Sequence, residues 1–221
     1  MFQKMNKGDW KRKKPSGVKE SVKIKEIILE GGTNYLMTEE MYTRGDWLVH
    51  AHYGVGQVKR KEKKNLEGVK KVFLRVKTLN AEYWLPVKNT EVSHIRPLAS
   101  EYQIKKAISL IRKPPSALPK NFKDRRKDIL EILKGVSLYS RAKMIRDLHS
   151  IEISSKTNYS DKVSLQKMKQ QLLNEWSVIL DEDIEILEEK LKSALRISMD
   201  KKEVGNMENG GENQNGQGGS S

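Results

Sequence analysis

Apolar residues recur along this chain with two different periods, and the change falls near residue 97. Before that point, apolar side chains occupy every second position from Val72 to Val76, which is the pattern of a half-buried strand. Similar short segments, separated by turn signals at 54–56, 65–68 and 79–81, cover 47–50, 56–62 and 82–87. Four or five strands within about fifty residues, joined by short turns, predict a small closed barrel.

Beyond Pro97 the apolar period fits helices. Four residues spaced by three and four positions predict the buried face of a first helix: Ile104, Ala107, Ile108 and Ile111. Prolines between residues 114 and 119 exclude a helix and predict an extended linker. Asn121 is a suitable N-cap for a second helix, which Gly135 would end. Its buried side would carry Ile129, Leu130 and Leu133.

Three more helices follow by the same spacing. The third would bury Leu138, Ala142, Ile145 and Leu148. The fourth is expected to start after Ser164 and to bury Leu165, Met168, Leu172 and Trp176. The fifth, capped by Asp181, would bury Ile184, Leu187, Leu191 and Leu195. The fold class predicted is therefore α+β and multidomain, a small barrel followed by a bundle of about five helices.

The two ends of the chain differ in composition from the middle. Residues 1–40 read as a flexible extension, in which Val22–Leu29 favours a helix or strand without an obvious partner. Residues 200–221, rich in Gly, Asn and Gln, predict a disordered tail. The domains expected are 1–40 (extension), 41–97 (barrel), 98–199 (helices) and 200–221 (tail).

Charge and composition narrow the function. The 221 residues carry a formal charge of +14, and the segments 41–97 and 98–161 each hold a net +7. A positive surface of this kind attracts polyanions. No stretch is apolar enough for a membrane helix, and without cysteine there is no disulfide scaffold or thiolate zinc site. We expect a cytoplasmic, nucleoid-associated protein that acts as a monomer.

Catalytic or metal chemistry has little support in the sequence. His50 and His52 would lie on one side of a strand, but zinc usually takes four ligands, so a metal site would need more ligands converging there. No phosphate-binding glycine loop and no nucleophilic trio is evident. We therefore predict no catalytic residue, no metal, no cofactor and no small-molecule substrate.

A basic segment at the start of the second predicted helix is more informative. Residues 118–127 (LPKNFKDRRK) place Phe122 among Lys120, Lys123, Arg125, Arg126 and Lys127. Cations neutralise phosphates, and an exposed apolar side chain beside them can enter a minor groove and unstack a base step. The alternative is that Phe122 packs between helices while the cations stay hydrated.

Three segments resemble the CarD/CdnL family of bacterial transcription regulators. Residues 44–58 (RGDWLVHAHYGVGQV) resemble that family's opening motif, and 83–87 (YWLPV) with 95–97 (IRP) its closing strand and domain exit. Residues 118–127 resemble the start of its second bundle helix. The resemblance spans roughly residues 42–197 and agrees with the order of elements predicted above.

This resemblance implies a Tudor-like domain that docks on the β subunit of RNA polymerase, and a helical domain that contacts promoter DNA at the upstream edge of the melted bubble. It maps the family's wedge tryptophan onto Phe122, which keeps an apolar ring but lacks the indole N–H. The family's two basic polymerase-contacting positions map onto Lys64, which keeps the charge, and Trp84, which does not. Docking by β-augmentation at a sheet edge would fit this picture.

Three alternatives remain at the level of sequence. The first alternative is a general nucleic-acid binder that acts on RNA or ribosomes. The second is an enzyme with an unrecognised site. The third is an adaptor that binds polymerase without productive DNA contact.

Overall fold

The structure, a computed structural model, describes residues 42–66, 68–87, 94–154 and 157–204 in full. For 26–29, 32–35 and 205–210 it describes the backbone. The element order is β1 (Glu26–Leu29), β2 (Gly32–Tyr35), β3 (Trp47–His50), β4 (Gly54–Leu66), β5 (Val69–Lys77), β6 (Glu82–Pro86), β7 (Ile95–Pro97), α1 (Glu101–Ile111), α2 (Phe122–Lys134), α3 (Leu138–Ile153), α4 (Tyr159–Leu180) and α5 (Ile184–Gly210). This confirms the predicted α+β class with five helices.

Five antiparallel strands form one sheet in the order β6-β5-β4-β3-β7. The longest pairing joins β4 to β5, from Gln57 opposite Lys77 to Leu66 opposite Val69, with a bulge between Val58 and Arg60. Gly54, at the bend predicted there, has a φ of 74°, which glycine adopts without strain. Strands β1 and β2 pair with each other, so β1 has a partner that the sequence did not indicate. The rest of the predicted flexible extension lies outside the described residues.

By backbone contacts the chain divides into two compact units. The first comprises Met1–Trp47, Gln57–Lys77 and Glu82–Val92, and the second Leu48–Gly56, Thr78–Ala81 and Ser93–Ser221. Within the second unit, side chains of the helices bind the backbone of residues 51–52 and the side chain of Arg96.

The buried core of the first unit includes Val58, Leu74, Val76, Tyr83 and Leu85, all at least 93% buried. The alternation predicted for β5 holds at Leu74 and Val76, but Phe73 is also buried and Val72 is only half-buried. The second unit holds the larger apolar cluster, built from all five helices. The predicted faces of α1 and α3 are buried throughout. Burial of this apolar surface is the main force that holds the helices together.

Several helix predictions need correction. In α2, Leu130 is 38% exposed, and the inward positions belong to Arg125 and Ile129. Helix α4 begins at Tyr159, not after Ser164, because the Asn158 side chain accepts a hydrogen bond from Asp161 N–H and caps it. Its predicted apolar face is nevertheless buried.

The start and end of α5 also differ from the prediction. Asp181 does not cap α5: it is the C-cap of α4, with a left-handed φ of 55° that Asp tolerates better than most residues. Helix α5 runs through residues 200–210, part of the predicted disordered tail. An established helix extends by one hydrogen bond per residue, and Lys202 anchors it by donating to Ser150 Oγ at 2.7 Å. Residues 211–221 lie outside the described part of the chain.

None of the described helices combines the length and the apolarity that crossing a bilayer requires.

Candidate functional site

The first turn of α2 presents an aromatic ring to solvent. Asn121 caps the helix by accepting from Lys123 N–H at 2.8 Å, which makes Phe122 its first residue. The Phe122 side chain is 44% exposed, and Lys120, Lys123, Asp124 and Lys127 of the same segment are exposed as well. The free backbone N–H groups at this helix end add partial positive charge. The ring is therefore not sealed between helices.

Arg125 is the exception among the predicted DNA-contacting cations. Its side chain is 7% exposed, and its Nε donates to Asp161 Oδ2 of α4 at 2.8 Å. Its Nη1 donates to the carbonyl oxygens of Pro119 and Lys120. Burial excludes Arg125 from the exposed basic surface; instead it ties the linker and the start of α2 to α4, and so fixes where Phe122 emerges.

The remaining cations border an open depression on α2. Its volume is about 430 Å³, and it is lined by Lys123, Arg126, Lys127, Leu130, Glu131 and Lys134. Arg126 is half-buried and donates to Ser164 Oγ at 3.1 Å, which fixes its side chain. The exposed Leu130, predicted to be a core residue, thus becomes an apolar patch within a mainly cationic surface.

The structure brings the two predicted polymerase-contacting residues together. Lys64 Nζ lies 3.4 Å from the centroid of the Trp84 ring, a cation–π contact between β4 and β6. The indole Nε1–H donates to Glu62 Oε2 at 2.7 Å. Trp84 is 42% exposed and lies on β6, at one edge of the sheet, so it does not pack the core of the sheet.

Glu62 is the centre of the polar network on this face. The indole N–H, and then Arg60, hold the pKa of the Glu62 carboxyl below its usual value. Arg75 contacts both Glu62 and Glu82, and the hydrogen bond to Glu82 raises the pKa of the guanidinium. The carboxylate therefore stays ionised and holds the indole in place.

The histidine pair predicted on one side of a strand is arranged differently. His50 ends β3, while His52 lies in the following turn, so the two rings do not share a strand face. His50 Nδ1 accepts from the N–H groups of His52 and Tyr53, at 3.0 and 3.3 Å. Burial, and then His94, His52 and Arg141, lower the pKa of His50 to about 4. Among the described residues, no three side chains of the metal-binding types converge.

Sequence reasoning missed two residues of these sites. Glu62 lies 22 positions from Trp84, and Asp161 lies 36 positions from Arg125. The alternation of β4 places Glu62 and Lys64 on one face, a signal that was available in the sequence. Nothing local marks Asp161, because its role depends on how α4 packs on α2.

Two family models match the chain. The model described as "CarD-like/TRCF RID domain" matches residues 42–99, and "CarD, C-terminal domain" matches residues 106–192. Together they cover about two thirds of the chain and contain both surfaces described above.

The fold and these matches define a transcription-related protein of a class that interacts with RNA polymerase. Within that class, the chain belongs to the CarD/CdnL family, whose members are generally non-enzymatic regulators.

Proposed function

We propose that this protein docks on the β subunit of RNA polymerase through the Lys64–Trp84 face and stabilises the promoter open complex. The contact with DNA lies at the upstream edge of the bubble and is made by Phe122 and the exposed cations of α2. The single observation that carries the proposal is the exposed Phe122 ring at the first position of a helix, in a segment that also exposes Lys120, Lys123 and Lys127.

The DNA contact follows from the chemistry of the α2 start. Lys120, Lys123 and Lys127 neutralise phosphates, and the helix N-terminus favours the same anionic partner. The apolar ring gains by leaving water and stacking on an unpaired base. Because a ring that has entered the fork must leave before the strands re-anneal, bubble closure is slowed.

Arg125 serves this contact without touching DNA. Its bonds to Asp161 and to the carbonyls of Pro119 and Lys120 restrain the segment that carries Phe122. The ring is therefore held in an outward position before DNA arrives, which lowers the entropy lost on binding. This restraint supports a functional role for Phe122 although the family's wedge residue is a tryptophan.

The polymerase contact follows from the preorganised Trp84 ring. Glu62 and Lys64 fix the indole from two sides, at 2.7 and 3.4 Å. Strand β6 is an edge of the sheet, so its outer backbone groups suit β-augmentation by a strand of the partner. A fixed aromatic residue beside this edge would anchor the partner strand and set its register against β6.

The mechanism is a shift of population. Docking on polymerase raises the effective concentration of the Phe122 surface at the promoter, so weak DNA contacts suffice. The protein binds the melted state better than the closed one, and the equilibrium moves by that difference in affinity. No covalent step is required.

The DNA contact is tested by Phe122→Ala, with Tyr102→Ala, an exposed aromatic residue of α1, as the control. We expect Phe122→Ala to shorten the open-complex lifetime on a promoter fragment about fivefold, since losing a stacked ring costs about 1 kcal/mol or more. Tyr102→Ala should leave the lifetime unchanged, and Phe122→Trp should preserve or lengthen it. An unaltered lifetime in Phe122→Ala, with polymerase binding intact, would refute the wedge.

The polymerase contact is tested by Lys64→Glu, with Lys143→Glu as the charge-matched control on exposed α3 surface. We expect Lys64→Glu to weaken binding to a β-subunit fragment about fivefold or more, because it puts an anion in place of the cation on the docking face and removes one of the two contacts that hold the Trp84 ring. Equal affinities of the two variants would show that the docking face lies elsewhere on the protein. Recovery of polymerase with the full chain after nuclease treatment separates this proposal from general nucleic-acid binding.

A further inference from the structure

The β4–β5 hairpin extends well beyond the rest of its sheet. Strand β6 pairs with β5 up to Phe73 opposite Pro86, and Val87 N–H reaches Val72 carbonyl. Four cross-strand rows of β4 and β5 lie beyond Phe73, from Lys63 opposite Val72, the row that Val87 still reaches, to Leu66 opposite Val69. At about 3.4 Å per residue, these rows form a two-stranded arm about 14 Å long. We name residues 63–66 and 69–72 the arm.

Lysines occupy both faces of the arm. Lys63 and Lys70 lie on the face that, further down the hairpin, carries the buried Leu74 and Val76. Lys64 and Lys71 lie on the opposite face. A strand that packs on its own core does not carry lysines on its inward positions, so the arm stands clear of that core. Residues 59–71 contain seven basic and two acidic residues.

The cations of the arm are poorly neutralised within the protein. Lys64 lies directly opposite Lys71, and like charges in this position destabilise an antiparallel pair. Lys64 turns towards the Trp84 ring. Within the residues that the structure describes, Lys63, Lys70 and Lys71 make no ion pair, and all three are exposed. A polyanionic partner would relieve this repulsion.

We propose that the arm binds duplex DNA through its phosphate backbone, as a second DNA contact independent of Phe122. A two-stranded ribbon fits the major groove, which is about 12 Å wide. Lys63 and Lys70 on one face of such a ribbon, and Lys71 on the other, can reach the phosphates on both sides of the groove. The exposed pair Leu66 and Val69 at the tip suits the groove floor, where thymine methyl groups offer apolar contact.

Duplex DNA suits the arm better than an acidic protein surface does. The lysines point to opposite sides of a thin ribbon, so one flat partner surface would neutralise only half of them. Lysine is a flexible point charge without a preferred contact geometry, so the contact would give affinity and position but no base sequence. The inference goes beyond the proposed function, because it assigns DNA binding to the β-sheet that also carries the Lys64–Trp84 face.

The test compares the double variant Lys63→Gln/Lys70→Gln with Lys143→Gln/Lys201→Gln, both in the full chain. The control pair removes the same charge from exposed positions on α3 and α5. Binding of a fluorescent 24-bp duplex is measured by anisotropy across a KCl series without polymerase. Each phosphate contact contributes about 0.9 to the slope of log K against log salt. We expect the arm variant to reduce that slope by about 1.8 and the control to leave it unchanged.

A second readout locates the contact. In the unmodified chain, duplex DNA should slow the acetylation of Lys63, Lys70 and Lys71 severalfold while Lys143 reacts as in free protein. Equal salt slopes for both double variants, or no protection of the arm, would overturn the proposal. Should the arm variant only aggregate more readily, the lysines protect an edge instead, which also overturns it. Phe122→Ala should leave the salt slope unchanged, so failure here is separate from failure of the wedge.

Discussion

Replacing Asp161 by Asn tests whether the buried ion pair holds the start of α2. Asp161 is fully buried and Arg125 is 7% exposed, so the substitution leaves a buried cation without its counter-ion. Breaking such a pair from one side costs about 3–5 kcal/mol. Asn retains one oxygen that can accept from Arg125 Nε, and Arg125 keeps its two carbonyl partners. We therefore expect the lower end, about 3 kcal/mol.

The cost is measured as the change in free energy of unfolding in urea, and as a fall in melting temperature of about 6–12 °C. Glu189→Gln is the contrasting control, because it removes an ion pair with Lys192 of 2.7 Å whose side chains are 72% and 68% exposed. That pair should contribute less than about 1 kcal/mol despite its short distance. If Asp161→Asn costs no more than Glu189→Gln, burial does not govern the strength of these pairs.

The same substitution separates positioning from DNA contact. Asp161 has an oxygen, Oδ1, with no hydrogen-bond partner among the described residues, so an Asn amide placed there leaves its N–H donors buried without an acceptor and weakens the hold on Arg125. Backbone hydrogen exchange of residues 119–126 should therefore accelerate in Asp161→Asn under conditions where the protein stays folded. Open-complex lifetime should fall with it, while polymerase affinity is unchanged. Unaltered exchange of this segment would show that Arg125 does not restrain Phe122.

Two further predictions concern the turn after β3. The folded protein holds the pKa of His50 near 4 against 6.5 in the unfolded chain, so unfolding takes up a proton between these values and the free energy of unfolding falls as pH drops through this window. Linkage gives a fall of at most about 3 kcal/mol, and solvent screening of the half-buried ring reduces it to about 1–2 kcal/mol. The variant His50→Asn, which keeps an acceptor, should remove that fall when the free energy of unfolding is measured in urea at pH 7.5 and 4.5. A fall of the same size in the variant would contradict this prediction. Gly54→Ala should cost about 1 kcal/mol, because a φ of 74° is strained for alanine, whereas Gly135→Ala at negative φ should cost less by the same assay; equal costs would rule out strain at Gly54.

The parts of the fold that sequence predicted are those encoded by local patterns. Alternation located β5 and β6, and the three-to-four spacing located the buried faces of α1 and α3. The errors fall where tertiary contacts decide. Ser164 was read as preceding a helix, but inside α4 its hydroxyl donates to Ser160 carbonyl and accepts from Arg126.

The candidate sites show the same division. Motif resemblance and charge mark Phe122 and Lys64 in the sequence, and their proposed roles stay predictions. Glu62 and Asp161 were missed because each acts on a residue far away in the chain, and only the register of β4 with its neighbours or the packing of α4 on α2 brings them close. The extension of β4 and β5 beyond β6 is likewise a property of the paired sheet, because strand ends are set by which neighbours are present.

The basic segment 123–127 shows why net charge alone is a poor guide to the charge that a surface exposes. Successive helical residues are rotated by 100°, so consecutive charges in α2 point in different directions. Lys123 and Lys127, four positions apart, share an exposed face, whereas Arg125 points into the bundle and pairs with Asp161. The inward charge holds the helix start against α4, and in the proposed function the outward charges contact phosphates. Because Arg125 is paired with Asp161, the exposed positive charge of the segment is smaller than its composition suggests.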